Sequence, residues 1–252
     1  ITLTADYFYK KTSDILLQLP IPGIVGISTE PYVNAASVKN EGWEFALGYN
    51  DQWGDWKFGA NVNPLGLSQK AGRAIAEHVD ILSSYPDREY TSLRNTISSY
   101  CNIPADFILP GNGSSELISL LIETRAPKRT LILGPTYSEY SRELSFSGST
   151  QEYYHLQESN DFEPDIPDLC RKLEQGYDFL ILCNPNNPTS SAILKDEMRA
   201  LLSFCANRDI FVMIDETYVE FAPSVQEVTA VPYTKDFSNL MVLRGVSKFY
   251  AA

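Results

Sequence analysis

The sequence predicts an α/β fold: a three-layer α/β/α domain with a mainly parallel sheet over residues 63–252, preceded by an antiparallel β segment over residues 1–62. Three observations predict it. Before Asn63 apolar residues recur at every second position, the period of half-buried strands. After Asn63, stretches with helical spacing alternate with short apolar runs, the pattern of helices covering both faces of a parallel sheet. Residue usage divides at the same place: all three Trp precede it, and all four Cys and three Met follow it. Two kinds of sequence therefore share one chain.

The first segment opens with Ile1, Leu3, Ala5, Tyr7 and Tyr9 against Thr2, Thr4, Asp6 and Lys10, broken only at Phe8. The alternation returns in Trp43, Phe45, Leu47 and Tyr49, and again in Trp56, Phe58, Ala60 and Val62. Asn50–Asp55 (NDQWGD) between them is a polar hairpin connection, and Pro20–Asn34, with three Pro and two Gly, reads as a loop. An antiparallel sheet in water and the strands of a membrane barrel both produce this alternation.

In the second segment Ile75, Ala76, Val79 and Leu82 sit at helical spacing over Gln69–Leu82, and Tyr90–Tyr100 and Ser114–Glu123 repeat the habit. The apolar runs are Thr130–Leu133, Phe179–Cys183, Ile210–Ile214 and Leu240–Leu243. Ligands of parallel α/β sheets bind at the carboxyl ends of strands, so the residues after each run carry the functional reading. They are Gly134-Pro135-Thr136-Tyr137, Asn184-Pro185-Asn186-Asn187-Pro188-Thr189, Asp215-Glu216-Thr217-Tyr218 and Ser247-Lys248. Singly, these residues also serve as turns, helix caps and solvated charges.

Thirty-two acidic against twenty basic residues leave a net charge of −12, which argues against nucleic acid or an anionic membrane surface as partner. No run approaches the roughly 20 apolar residues of a spanning helix, so no membrane is expected for residues 63–252. The cysteines Cys101, Cys170, Cys183 and Cys205 show neither CxxC pairing nor a zinc-like His spacing; free thiols and no metal site are expected.

The strand-end residues suit one chemistry together. A carboxylate sheltered at a strand end can keep a pyridine nitrogen protonated, an amide and a phenol can bond a ring hydroxyl, and a lysine can join an aldehyde covalently. That is the equipment of pyridoxal 5'-phosphate chemistry. Its phosphate needs N–H groups at a helix N-terminus, and Gly111-Asn112-Gly113-Ser114-Ser115-Glu116 leads from a Gly-rich turn into an apolar helix. Tyr137 is placed to stack on the ring.

The motifs NPLGLS, SSYPDREYTSLR, GNGSSELI, GPTYSEY, CNPNNPTS, DETYVEF and RGVSKFYAA resemble, in order, those of fold-type I aminotransferases. The branch they resemble is histidinol-phosphate aminotransferase with its relative threonine-phosphate decarboxylase. The resemblance implies a PLP-dependent transferase large domain using an amino donor and a 2-oxo acid acceptor, in the cytoplasm. By the same resemblance Lys248 is the Schiff-base lysine and proton shuttle, Asp215 pairs with the pyridine nitrogen, and Asn187 and Tyr218 bond the phenolic oxygen. Gly113, Ser114, Ser115 and Ser247 belong to the phosphate site, Tyr137 stacks on the ring, and Tyr85 of the YPD motif reaches the phosphate of a second subunit, implying a homodimer. Transamination and threonine-phosphate-type decarboxylation both stay open, NPLG leaning towards the latter.

Two departures accompany the match. Ser190 stands where the family shows Gly, a position expected to need positive φ. The family motif continues past the lysine into a Gly-Leu-Arg segment, whereas this sequence ends at Ala252. Both ends therefore read as cut, and the large domain is expected to be incomplete and its activity uncertain. ADYFYKKTSDILLQLPIP, PYVNAASVKNEGWEFALGYND and WKFGANVN resemble late barrel strands of starch-utilisation-type TonB-dependent outer-membrane receptors. The expectation is a join of two unrelated genes or fragments with a seam near GANVNPLG, and a receptor fragment is the competing functional reading.

Overall fold

In a computed structural model the protein divides into two compact units, Ile1–Asn61 and Val62–Ala252. The structure describes residues 67–250 and, before them, the backbone of four strands. In the first unit β1 (Thr2–Gln18) pairs antiparallel with β2 (Tyr32–Gly48), Tyr7 lying opposite Trp43. Strand β2 begins well before Trp43 and takes in residues 32–34, the end of the expected loop; residues 32–42 are mostly small and polar without alternation, so periodicity does not announce them. Two-residue strands β3 (Gln52–Trp53) and β4 (Trp56–Lys57) form an antiparallel pair, Trp53 lying opposite Trp56. Most of the expected Pro-rich loop, the rest of the strand expected from Trp56, and the side chains that carry the receptor resemblance lie outside the described residues.

The second unit starts with α1 (Gln69–Glu77), whose N-cap Ser68 Oγ accepts a hydrogen bond from the Ala71 N–H at 3.1 Å. The helix expected over Gln69–Leu82 breaks at His78 into a 3-10 turn, Val79–Ser83. Its apolar residues are uncovered, Ile75 being 57% and Leu82 83% exposed. Then follow α2 (Thr91–Cys101), α3 (Ser114–Arg125), β5 (Arg129–Gly134), α4 (Glu139–Ser147), β6 (Thr150–His155), α5 (Ile166–Leu173) and β7 (Phe179–Cys183). The chain continues with α6 (Lys195–Ala206), β8 (Phe211–Asp215), α7 (Val225–Val228) and β9 (Leu240–Leu243).

Strands β5 to β9 form one sheet in the order β6-β5-β7-β8-β9, every neighbouring pair parallel. Alternate side chains divide its interior into two cores. Leu131, Leu133, Leu180, Leu182, Val212 and Ile214 pack with α5 and α6, while Ile132, Ile181 and Met213 pack with Ile118 and Ile122 of α3 and Tyr140 and Leu144 of α4. Each fully buried Leu or Ile contributes about 2 kcal/mol by leaving water. Both faces are covered, which is why β7 (FLILC) reads as an unbroken apolar run. Strand β6 (TQEYYH) lies at the edge and is half exposed, so no apolar run announces it.

Strand β5 is flanked by β6 and β7, so the chain leaves it in one direction and returns on its other side. Such a reversal opens a crevice at the carboxyl ends of the strands. The loop after β5 and the loop after β7 border it.

Candidate active site

Cys183, Asp215 and Leu243 lie side by side at the carboxyl ends of β7, β8 and β9. Asp215 is buried, and its carboxylate is held from two directions. The Tyr140 hydroxyl, from the first turn of α4, donates to Oδ2 at 2.6 Å. The Thr217 N–H and hydroxyl donate to Oδ1 at 2.9 and 2.6 Å. No ion pair to Asp215 forms among the described residues, so a buried carboxylate rests on three neutral donors. Burial and the Asp215 charge drive the Tyr140 phenol far above its ordinary range, keeping it a donor. The same two causes push the neighbouring Cys183 thiol up to about 12.

Tyr137 stands edge-on to Tyr140, ring centroids 5.6 Å apart and planes at 84°. It is 41% exposed, so it presents ring surface beside the buried carboxylate. Burial, then the charges of Glu139 and Asp215, raise its phenol above the ordinary range. Strand β5 thus delivers an aromatic ring, and β8 a fixed acid, to one corner of the crevice.

The loop after β7 is built by its other asparagines. Asn184 donates to Ile193 O and Val228 O at 3.1 Å each and accepts from Ile193 N at 2.8 Å, closing the loop on itself. Asn186 Nδ2 donates to Pro135 O at 2.9 Å, tying this loop to the one that carries Tyr137. Asn186 Oδ1 and, on the β5 loop, Thr136 Oγ1 are buried without a hydrogen-bond partner among the described residues. Buried polar atoms of this kind are rare in native folds and mark places where a ligand or water completes the bonding. The Asn187 side chain, half-buried next to them, makes no hydrogen bond among the described residues.

Lys248 follows β9 on a half-buried segment, and its ammonium forms no ion pair among the described residues. Gly245 sits between Ser247 and Thr217, a built Cβ there lying 3.9 Å from each hydroxyl. Ser247 and Thr217, one of the residues that hold Asp215, thus flank the same glycine. Tyr218 follows on the same loop, with its ring 6.1 Å from Phe221. At the start of α3, Gly113 is the N-cap with φ +89°, a conformation L side chains rarely adopt, and a Cβ there would meet open space. Ser114 and Ser115 are the first helical residues, while Glu116 accepts from the Asn112 N–H at 2.5 Å. Tyr85 is 99% exposed and takes no part in the cluster.

Residues 55–252 match the family described as aminotransferase class I and II. The chain belongs to this family. The match starts inside the stretch that the sequence assigns to the β segment. The threonine-phosphate decarboxylase of Salmonella typhimurium is 33% identical over 77% of this chain and 52% of its own length. The histidinol-phosphate aminotransferase structure from Clostridium acetobutylicum superposes with a TM-score of 0.67 at 31% identity, over 76% of this chain and 56% of that one. The corresponding Sinorhizobium meliloti structure, a complex with pyridoxal-5'-phosphate, shares the fold with a TM-score of 0.68 at 20% identity, over 76% and 52%. The chain thus spans about half the length of the curated relatives it matches.

Within this aminotransferase-family domain the structure brings Tyr137, Tyr140, Asp215 and Thr217 into one neighbourhood, while Ser247 lies across Gly245 from Thr217 and Lys248 follows it in the segment after β9. Among the described residues no contact joins Ser114, Ser115 or Tyr85 to that group. Sequence reasoning missed Tyr140 and Thr217, the donors to Asp215; the short GPTYSEY and DET motifs contained both. Ser190 has φ 63°, held by its N–H donating to Asn186 O at 2.8 Å. Left-handed backbone costs a non-Gly residue roughly 1–2 kcal/mol, and Gly returns part of that gain as lost chain entropy. Ser190→Gly is therefore expected to stabilise the domain by up to about 1 kcal/mol, read as a higher urea midpoint; a lower midpoint would show that the Ser190 side chain contributes more than its strain.

Proposed function

We propose that this domain binds pyridoxal 5'-phosphate and carries out amino-group chemistry on a phosphorylated amino compound such as histidinol phosphate. The observation that carries the reading is Asp215: a buried strand-end carboxylate with three neutral donors and, among the described residues, no ion pair, next to the half-exposed ring of Tyr137, which stands edge-on to Tyr140. A pyridinium nitrogen is a fitting partner for that carboxylate, and the orphaned Thr136 Oγ1 and Asn186 Oδ1 fit a polar ligand in the crevice.

Asp215 would hold the ring nitrogen, Tyr137 would cover one ring face, and Asn187 and Tyr218 would bond the ring oxygen. Gly113, Ser114, Ser115 and Ser247 would take the phosphate, with the open α3 N-terminus favouring its charge. Tyr85, fully exposed, would reach the phosphate of a second copy in a homodimer. When bound, the cofactor supplies a ring that withdraws electrons from the substrate's α carbon. Lys248 would be its covalent anchor and, once released, would move a proton at that carbon through Nζ. Tyr140 and Thr217 keep Asp215 oriented while it carries the charge opposite the ring nitrogen. The amino acceptor would be a 2-oxo acid.

Decarboxylation is the second reading, supported by the 33% identity to a threonine-phosphate decarboxylase. The test is incubation of the loaded protein with 15N-labelled histidinol phosphate and a 2-oxo acid. Labelled amino acid is the expected product. Carbon dioxide from threonine phosphate without amino transfer would select the second reading, and neither product would overturn both.

A further inference from the structure

The segment that carries Lys248 is fastened at three points. Arg244 Nη1 lies 3.2 Å from Glu216 Oε2, and its Nη2 forms a close ion pair with Glu220 Oε1. Phe249 packs edge-on against Phe221 with ring centroids 5.1 Å apart, and the Tyr250 and Tyr100 hydroxyls are hydrogen-bonded at 2.6 Å. Two of these fastenings lead to the loop that follows Asp215. Glu216 is fully buried and adjacent to Asp215; it also accepts from Ala230 N at 2.5 Å and from Thr229 Oγ1 at 2.8 Å. Its N–H donates to Leu243 O at 2.9 Å, continuing the β8–β9 ladder. Arg244 is the next residue, so backbone and side chain bind the two strand ends together just where each delivers a site residue.

From this geometry we infer that Arg244 is a positioning residue: its fork across Glu216 and Glu220 sets the place of Lys248 relative to Asp215. The inference rests on the cofactor reading of those two residues. A guanidinium suits the task because it is planar and reaches two carboxylates at once, whereas an ammonium is a single point charge. Nothing in the fork touches the reacting atoms. Its effect would be carried by the four-residue path from Arg244 to Lys248, and small misplacements of a reacting group cost large factors in reactivity.

The test reads where pyridoxal phosphate attaches, not turnover. The protein is mixed with substoichiometric pyridoxal phosphate, reduced with borohydride and mapped by peptide mass spectrometry. In the unaltered protein the phosphopyridoxyl group is expected on Lys248. In Arg244→Ala the share on Lys248 is expected to fall about tenfold with an unchanged far-UV circular dichroism spectrum. Arg244→Lys should restore part of it, and millimolar guanidinium added to Arg244→Ala should restore more than the same concentration of sodium chloride. Glu220→Gln takes the charge from one arm of the fork and weakens it while Glu216 keeps its partner, so it reports even where Arg244→Ala does not fold; a smaller fall is expected. Selective labelling of the unaltered protein together with equal labelling of Arg244→Ala or Glu220→Gln would overturn the positioning role alone. Absence of selective labelling in the unaltered protein would overturn the role and the cofactor reading together.

Discussion

Lys248→Ala is expected to lower amino transfer by at least about a thousandfold while leaving stability within about 0.5 kcal/mol of the unaltered protein. The separation follows from where the side chain stands. It is only half-buried, forms no ion pair among the described residues and lies after β9, so its removal takes no charge partner away and leaves the strand ladder intact. Chemically the loss is twofold, because one amine serves as covalent anchor and as the group that moves the proton. Assays of product formation beside urea titrations check both halves. Activity within tenfold of the unaltered protein would assign the proton transfer elsewhere; a large loss of stability would make Lys248 a structural residue.

Asp215→Asn is expected to have the second largest effect, about 10²–10⁴-fold on activity, because a neutral amide cannot hold the charge opposite a pyridinium. Its structural cost should be small. The amide oxygen can accept the two Thr217 donors, and the Tyr140 hydroxyl can rotate to accept from the amide NH₂ in place of donating to Oδ2. A loss of about 1 kcal/mol is expected, against about 2–3 kcal/mol for Asp215→Ala, which leaves the fully buried Tyr140 phenol with only the weakly accepting Cys183 sulfur. Unchanged activity in Asp215→Asn would remove Asp215 from the cofactor site. Comparing the two variants also separates the charge of Asp215 from its part in the hydrogen-bond network.

Much of this fold is legible in the sequence. Strands β7 and β8 announce themselves because both faces are covered and every residue is apolar up to the polar strand end, so the run and its functional residue appear together. The edge strand β6 is hidden by the opposite condition: with one side solvated, Thr150–His155 carries mostly polar and aromatic side chains. The expected helix over Gln69–Leu82 shows the limit of periodicity, which marks a face able to be buried without supplying the surface that buries it. In the site, Asp215 could be named because it directly follows an apolar run, and Ser247 and Lys248 because they come in the short segment after the next one. Tyr140 could not, since its value depends on α4 meeting the end of β8 across 75 residues of chain. Arg244 was equally illegible: its partners are 28 and 24 residues away and its meaning lies in their burial. The positive φ at Ser190 was legible, because a left-handed turn leaves a local mark in the expected residue type.

The central claim is that the carboxyl ends of β5, β7, β8 and β9 assemble one site for pyridoxal phosphate. A visible-absorbance titration of the protein with this cofactor tests it most directly. A saturable visible band with an end point of one cofactor per chain, absent from Lys248→Ala, is expected. A spectrum equal to that of free cofactor, or a band that persists in Lys248→Ala, would contradict it.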